Sequence, residues 1–464
     1  MNRDALQKLA KEDLIALVLA QSDVVGKQTS LIETLSGQVT SLKTQVAELE
    51  TKLGKPPKTP DNSSIPPSAA RKPNREERRA AKRKGRAGVC RALAENPDAV
   101  VEALAPACPH CAHGLGAEDQ VEFHAYDHVD LPPIRPVVTR IHRHRGTCPG
   151  CRRAFQAPAP EGMAPGSPFG PGIAALVLHL HITQAIGFER LAKLMDEVFG
   201  VGVSEGAIAN MLGRAEAPMI VAAEKIAQEV RAAKVVASDE TSARVMGKTW
   251  WQWVMHCSTA IYHVITDSRG AKVVVDFLQG YRPEVWVADR YGAQAGHALE
   301  RQLCLAHLLR DAMAYAIDEG DTVFAPGFKA LLLRAILIGR RRETLKDSTL
   351  AQYRADLERR LTTLLEPIPT TAAGRKLAKG VKKCRGDLFL FVVRRDVPYT
   401  NNGSERALRP SVIFRKVTGC FRSHWGARLY AAAISVIATG RLRGQSALHA
   451  IQDVIGGQMS PAIP

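Results

Sequence analysis

Two apolar segments of this chain run directly into acidic residues, a pattern typical of sites that bind metal ions. Segment 234–240 (KVVASDE) has the composition of a buried strand and ends in Asp239 and Glu240, and segment 285–292 (VWVADRYG) carries Asp289 after its apolar run. Adjacent residues of a strand point to opposite faces, so only one of Asp239 and Glu240 can reach a shared site. Because carboxylate oxygens are the preferred ligands of Mg²⁺, the two segments predict metal-dependent chemistry.

The neighbouring sequence predicts the elements that position these acids. Segments 249–257 and 260–267 have the composition of two further strands, and segment 268–280 that of a helix. The order strand, strand, strand, helix, strand is the opening of a ribonuclease H-like fold, with an aspartate ending its first and fourth strands. The stretch 308–385 looks helical, and we interpret it as an insertion in this core.

Four of the nine cysteines form two CxxC pairs that are separated by 36 residues: Cys108, Cys111, Cys148 and Cys151. A CxxC turn lets two thiolates reach one ion, so the two pairs predict a closed, structural, tetrahedral zinc site. The charged N-terminus does not resemble a secretory signal, and we expect a reducing cytoplasm in which such cysteines bind metal. Segments 124–130 and 137–142 alternate like strands, which indicates a zinc ribbon.

The positive charge of the chain is large and concentrated in two zones. The formal net charge is +17; segment 71–86 holds nine basic and two acidic residues, and segment 401–443 holds eight basic and one. Lys and Arg that neutralise phosphates release counterions, so we expect double-stranded DNA to contact both zones. The alternative is a solvated charge run. No apolar segment reaches the length of a membrane span.

A heptad repeat spans residues 25–53 near the N-terminus. Its a positions are Val25, Ile32, Val39, Val46 and Leu53, and leucine occupies the d positions Leu35, Leu42 and Leu49. β-branched a residues with leucine at d favour a parallel two-stranded coiled coil, which predicts a homodimer. The alternative is one amphipathic helix docked on its own protein.

Segment 172–216 has helical apolar spacing and contains a candidate helix-turn-helix. We predict one helix over 189–199 that ends at Gly200, and a second that begins at Glu205 with Ser204 as its N-cap. The layout is typical of a DNA-reading helix pair, although any two short helices can produce it.

Several stretches together resemble the transposases of the IS66 family of insertion sequences. They are ASDET (237–241), VADRYG (287–292), LCLAH (303–307), the finger sequence through 131–151 and, most specifically, YTNNGSERALRPSVIFRKVTGCFRS (399–423). The order of heptad, PDNSS and basic stretch upstream is similar as well. The resemblance extends over nearly the whole chain, and within it Cys304 and His307 belong to a signature that either supports the active-site helix or is ordinary packing.

The resemblance implies a three-carboxylate (DDE) active site formed by Asp239, Asp289 and Glu405, which favours Asp239 over Glu240. Such a site holds two Mg²⁺ or Mn²⁺ ions for phosphodiester transfer. It implies metal-dependent cleavage at transposon ends and transfer of the 3′-hydroxyl ends into target DNA. The residues that we expect to contact DNA are Arg78, Arg79, Lys82, Arg83, Arg143, Arg406, Arg409, Arg415 and Lys416.

The fold class expected from these observations is multidomain α+β, with a ribonuclease H-like α/β catalytic core that carries a helical insertion. The predicted divisions are a coiled coil (1–54), a linker (55–100), a four-cysteine zinc finger (101–160), a helical DNA-binding region (165–230), the core (231–310 and 391–464) and the insertion (311–390). We expect a cytoplasmic, nucleoid-associated bacterial protein that binds terminal inverted repeats and target DNA, with or without small accessory proteins. The alternatives are a ribonuclease H-like nuclease without strand transfer and a non-catalytic DNA-binding regulator.

Overall fold

The structure, a computed structural model, describes residues 10–52, 91–163, 165–311 and 320–456. It mixes many helices with one five-stranded sheet, which confirms the mixed α and β class. Residues 55–90 of the linker, the basic residues Arg78, Arg79, Lys82 and Arg83 within it, and the last heptad position Leu53 lie outside the described residues. Within the described residues, no helix is both long and apolar enough to cross a bilayer.

The heptad repeat lies on one long helix, α1 (Lys11–Lys52). The apolar a and d side chains that the structure describes on it are all at least half exposed: Val25, Ile32, Leu35, Val39 and Leu42. The predicted helix is therefore present, and its apolar stripe is not covered by the described parts of the chain.

The cysteine region contains little regular structure. Strands β1 (Arg145–Thr147) and β2 (Ala154–Gln156) form a short antiparallel hairpin around the second CxxC pair. The strands expected over 124–130 and 137–142 are absent, and that prediction was wrong. Apolar alternation makes a strand only where one face is buried and a partner strand accepts the hydrogen bonds. Here the apolar side chains are exposed, as at Val129 (63%) and Val138 (86%).

Three helices form the next region: α2 (Pro171–Gln184), α3 (Phe188–Phe199) and α4 (Glu205–Arg231). Helix α3 ends at Gly200, whose φ of 63° is a left-handed conformation that favours glycine. Helix α4 begins after Ser204, whose hydroxyl accepts a hydrogen bond from the backbone N–H of Ala207. Both predicted helix boundaries are correct. Helix α4 continues well beyond a short recognition helix, and its inner face joins the main core.

The sheet has the order β5-β4-β3-β6-β7. Its strands are β3 (Val235–Val245), β4 (Lys248–His256), β5 (Ile261–Thr266), β6 (Val285–Ala288) and β7 (Glu300–Leu303). The first three are antiparallel, β6 and β7 are parallel to β3, and helix α5 (Lys272–Leu278) connects β5 to β6. The predicted order of three strands, a helix and a strand is confirmed.

Helices cover both faces of this sheet. On β6, Trp286 and Ala288 face a core built with α2 and α4, whereas Val285 and Val287 face a second core. The second core is made by the helices between Asp289 and Glu405: α6 (Leu305–Asp311), α7 (Ala325–Arg341), α8 (Asp347–Leu364), α9 (Ala372–Lys383) and α10 (Leu390–Val393). The chain ends with α11 (Asn402–Thr418), α12 (His424–Leu442) and α13 (Ala447–Ile455).

Candidate active site

The pairing of β3 with β6 brings Asp239 and Asp289 to the same edge of the sheet. The parallel register ends at Ala237 opposite Val287, and each aspartate follows two residues later. The expectation that the first strand ends at this acid was wrong, because β3 continues to Val245. Its second half stays in the sheet by pairing with β4, where Asp239 lies opposite Val254. Asp239 therefore lies just beyond the point where β3 stops pairing with β6.

Glu240 belongs to the other face of the sheet. Its carboxylate accepts hydrogen bonds from Arg269 (Nη2–Oε1, 2.9 Å) and from Gln294 (Nε2–Oε2, 2.9 Å), and its side chain is 2% exposed. The Arg269 guanidinium in turn lies between the rings of Trp251 and Tyr291, at 4.5 and 4.2 Å from their centres. Glu240 thus has a complete set of protein partners on the side away from Asp239.

The ionisation of Asp239 shows that the acids lie close enough to interact. The pKa of Asp239 is raised from 3.8 to about 7, mainly by burial and in addition by the negative charges of Glu240, Asp289 and Glu405, while a hydrogen bond from the Glu240 N–H opposes the rise. The ionised form of a buried carboxylate is unfavourable when like charges surround it and no cation is bound. A cation at this edge would relieve that cost, so the donor set suits a divalent, oxygen-preferring metal.

Glu405 reaches the site because the start of α11 is tied to the sheet. The side-chain amide of Asn401 donates to the carbonyl of Ser238, the neighbour of Asp239, at 2.7 Å. The N–H of Asn401 donates to Cys304 Sγ at 3.1 Å. Farther along α11, Ala407 and Leu408 pack on Val254, the cross-strand partner of Asp239. Glu405 therefore lies in the first turn of a helix that covers the Asp239 face.

A second connection joins this helix to the end of β4. The Ser404 hydroxyl donates to Asn401 Oδ1 at 2.6 Å, and Ser404 Oγ also lies 3.1 Å from His256 Nε2, within hydrogen-bond distance. Burial lowers the pKa of His256, in keeping with a neutral ring. A side chain at Gly403 would place its Cβ 2.7 Å from His256 Cε1. The glycine in the NNGSE motif therefore permits the close approach of His256.

The Cys304–His307 signature faces Glu405. Strand β7 leads through Cys304 into α6, where Arg310 Nη2 donates to Glu405 Oε1 at 2.8 Å and His307 Nε2 lies 3.8 Å from the same oxygen. Cys304 is fully buried. Cys304 thus contacts Asn401, just before α11, and His307 lies near Glu405. Sequence reasoning missed Asn401, Ser404 and Arg310 as site residues, although the first two lie in the most distinctive motif.

The basic residues expected to contact DNA differ in orientation. Arg406, Arg409 and Lys416 are exposed on α11. Arg415 instead turns inward: its Nη2 donates to Thr241 at 3.2 Å, and burial lowers its pKa. Position 415 lies on the side of α11 that packs on β3, which the sequence of the basic zone does not reveal. Near the second CxxC pair, exposed Arg143 donates two hydrogen bonds to the carbonyl of Ala157.

The two CxxC pairs form matching turns. Backbone N–H groups lower the pKa of the Cys108 thiol (from His110 and Cys111) and of the Cys148 thiol (from Cys151 and Gly150), and this favours the metal-binding thiolate. Each pair therefore fits half of a four-thiolate zinc site. The described residues contain no group of three or more His, Cys, Asp or Glu side chains gathered to hold a metal, so neither the four thiols nor the three acids are gathered into such a group.

Comparison with known proteins supplies the family. The family described as "Transposase IS66 family" matches residues 166–429, which include Asp239, Asp289 and Glu405. No curated protein sequence matches the chain significantly. Among solved structures, the "Crystal structure of the Mos1 Strand Transfer Complex" is 12% identical with a TM-score of 0.12, and the match covers 32% of this chain and 60% of that one. Because the family match covers more than half of the sequence, the chain belongs to the IS66 transposase family.

Proposed function

We propose that this chain is a DDE transposase that cleaves DNA at transposon ends and joins the resulting 3′-hydroxyl ends to target DNA. The proposal is supported chiefly by the register of β3 and β6, which places Asp239 and Asp289 at one edge of the sheet, and by the Glu405 charge, which is among the causes that raise the pKa of Asp239 to about 7. Three antiparallel strands followed by two parallel strands, in the order found, support a ribonuclease H-like core.

The three carboxylates are the residues that would hold two divalent cations, Mg²⁺ or Mn²⁺. Bound cations would activate a water or a 3′-hydroxyl as nucleophile and stabilise the negative charge of the leaving oxygen. Asp239, which is buried and interacts electrostatically with the other two acids, would hold the cations together with Asp289 and Glu405. No protein nucleophile is needed for this chemistry.

The surrounding residues would position the acids and the DNA. Asn401, held by Ser404 and Cys304, fixes the first turn of α11 and with it Glu405. Arg310 balances the Glu405 charge before cations and phosphates arrive. Arg406 and Arg409 extend from the next turns of the same helix into solvent, where guanidinium groups can bind phosphates of the reacting strand.

The N-terminal half would bind and pair the transposon ends. The exposed apolar stripe of α1 suits a parallel coiled coil between two copies of the chain. The CxxC turns would hold a structural Zn²⁺, and α3, α4 and the basic stretch 71–86 would contact terminal repeats. These assignments, and any need for accessory proteins, are separate from the catalytic proposal and are tested by dimerisation, zinc content and end binding.

The decisive experiment is strand transfer of a labelled, pre-cleaved transposon end into plasmid DNA with Mg²⁺ or Mn²⁺. Wild type is compared with Asp239→Asn, Asp289→Asn and Glu405→Gln. We expect each variant to lose joining by at least about 100-fold while keeping end binding, since each removes one metal-holding carboxylate. Asp276→Asn, an exposed acid on α5, is the matched control and should retain joining.

Other outcomes would select other functions. Cleavage without joining would indicate a nuclease, and end binding with neither activity, in every metal tested, would indicate a regulator. The variant Glu240→Gln tests which of the two acids of the ASDE motif is needed for joining. Loss of joining in Glu240→Gln with full activity in Asp239→Asn would refute the assignment of Asp239.

A further inference from the structure

Every charged residue of helix α9, in the insertion, is basic. Its twelve residues include five basic and no acidic residues. Leu377, Ala378 and Val381 are buried in the second core, so the lysines occupy the outer side of the helix. Lys376, Lys379 and Lys383 form a stripe, because residues spaced by three, four and seven positions share a helical face.

These lysines form no salt bridge with any of the described residues. The neighbouring α8 differs: Arg359 and Arg360 pair with Asp356, and Arg354 pairs with Glu358. Lysines at the end of a helix stabilise its carbonyl end, which accounts for Lys382 and Lys383. The helix dipole does not account for Lys376 and Lys379, which lie earlier and repel each other and Lys383. An uncompensated cationic face that weakens its own helix is typical of a polyanion-binding surface.

The position of α9 connects this face to the catalytic edge. A Cβ at Gly380 would lie 3.0 Å from Arg290 Nη1, so α9 lies directly against the residue that follows Asp289. Just beyond α9, Asp387 lies 4.0 Å from Arg301, whose guanidinium also donates to the carbonyl of Asp289. A duplex bound along α9 would therefore lie beside the loop that carries the second acid.

We propose that the Lys376–Lys379–Lys383 stripe binds the phosphate backbone of the target duplex, an inference that rests on the proposed transposase function. The stripe spans about 10 Å, at 1.5 Å per residue, which corresponds to about three phosphates of one strand along the duplex axis. Lysine binds phosphate as a flexible point charge, whereas sequence is read by groups that form defined hydrogen bonds to base edges. A lysine-only face therefore suits DNA of any sequence, as a target is, better than a defined transposon end.

The test measures the salt dependence of binding to a random-sequence duplex. The variant is Lys376→Gln/Lys379→Gln/Lys383→Gln, and the matched control, Arg354→Gln/Arg359→Gln/Arg360→Gln, removes three charges from the paired face of α8. Three lost phosphate contacts should lower the slope of log affinity against log salt by about 2.7. Between 50 and 200 mM salt, wild-type affinity should then fall about 40-fold more than that of the lysine variant. The control should keep the wild-type slope.

A second measurement separates target from transposon end. The lysine variant should join a pre-cleaved end to plasmid DNA poorly while it still binds and cleaves end DNA. An unchanged slope, or equal slopes in the lysine and arginine variants, would overturn the inference. A parallel loss of end binding would show that α9 holds the transposon end and would overturn the assignment to target DNA. Binding is measured without divalent metal, so failure of the catalytic proposal would leave this result intact.

Discussion

Replacement of Asp239 by asparagine is expected to stabilise the protein at neutral and alkaline pH while it abolishes catalysis. The Asp239 pKa rises from an ordinary 3.8 to about 7, first through burial and then through the charges of Glu240, Asp289 and Glu405. A difference of about 3 pH units corresponds to about 4 kcal/mol in the free energy of unfolding, since each unit is worth about 1.36 kcal/mol. Relaxation of the site around the anion makes this figure an upper limit.

The direction of the pH dependence follows from proton binding. Between pH 3.8 and about 7 the folded protein keeps a proton on Asp239 that the unfolded chain has released. Wild type therefore loses stability as the pH rises through this window. Asparagine carries no charge, so the advantage of Asp239→Asn should be absent below about pH 4 and complete above about pH 8.

Urea unfolding followed by tryptophan fluorescence measures this effect in the right part of the molecule, because all five tryptophans lie between positions 250 and 425. With a slope of about 3 kcal/mol per molar urea, the predicted gain moves the midpoint by about 1 M at pH 8. Asp276→Asn, which removes an exposed charge paired with Lys272, should move it by less than about 0.3 M. A gain missing at pH 8, or one equally large at pH 4, would refute the reasoning.

Three further predictions test the supports of the site. Gly403→Ala should lower strand joining at least about 10-fold with the fold retained, because the new Cβ would meet His256 at 2.7 Å; near-normal joining would contradict this. Burial lowers the pKa of His263 to about 3, so the free energy of unfolding should fall by up to about 5 kcal/mol as the pH drops from about 6.5 toward 3. In urea titrations, His263→Asn should show a smaller decline over this pH range. Arg342→Met should lower the free energy of unfolding by about 3 kcal/mol, because Arg342 donates to the carbonyls of Phe391 and Val397; a loss below about 0.5 kcal/mol would contradict it.

The sequence predicts best where a local signal and its structural cause coincide. The helix boundaries at Gly200 and Ser204 were predicted correctly because a left-handed glycine and a hydroxyl N-cap depend only on residues close to them in sequence. The strands around Asp239 and Asp289 were predictable for a similar reason, since fully buried strands need near-continuous apolar runs. Alternation also predicted that Asp239 and Glu240 face apart.

Features that depend on distant partners could not be predicted in this way. Segments 124–130 and 137–142 alternate like strands, yet in the described structure no second strand lies beside either of them and Val138 is 86% exposed. Arg415 lies in a basic run, but the packing of α11 on β3 turns it toward Thr241. His256 gives no signal in sequence because its role arises from Ser404, 148 positions later.

The helices between Asp289 and Glu405 are better understood as part of the active-site framework than as an appendage. Their core includes Val285, Val287 and Leu303 of the two parallel strands, so they brace the strands that lead to Asp289 and Cys304. Just after α7, Arg342 donates to a carbonyl of α10 and to two carbonyls of the turn that follows it, a few residues before Asn401. The N–H of Leu305 then donates to the carbonyl of Tyr399 at 3.0 Å. Since these contacts set where α11 begins, the position of the third acid depends on packing that starts nearly a hundred residues earlier.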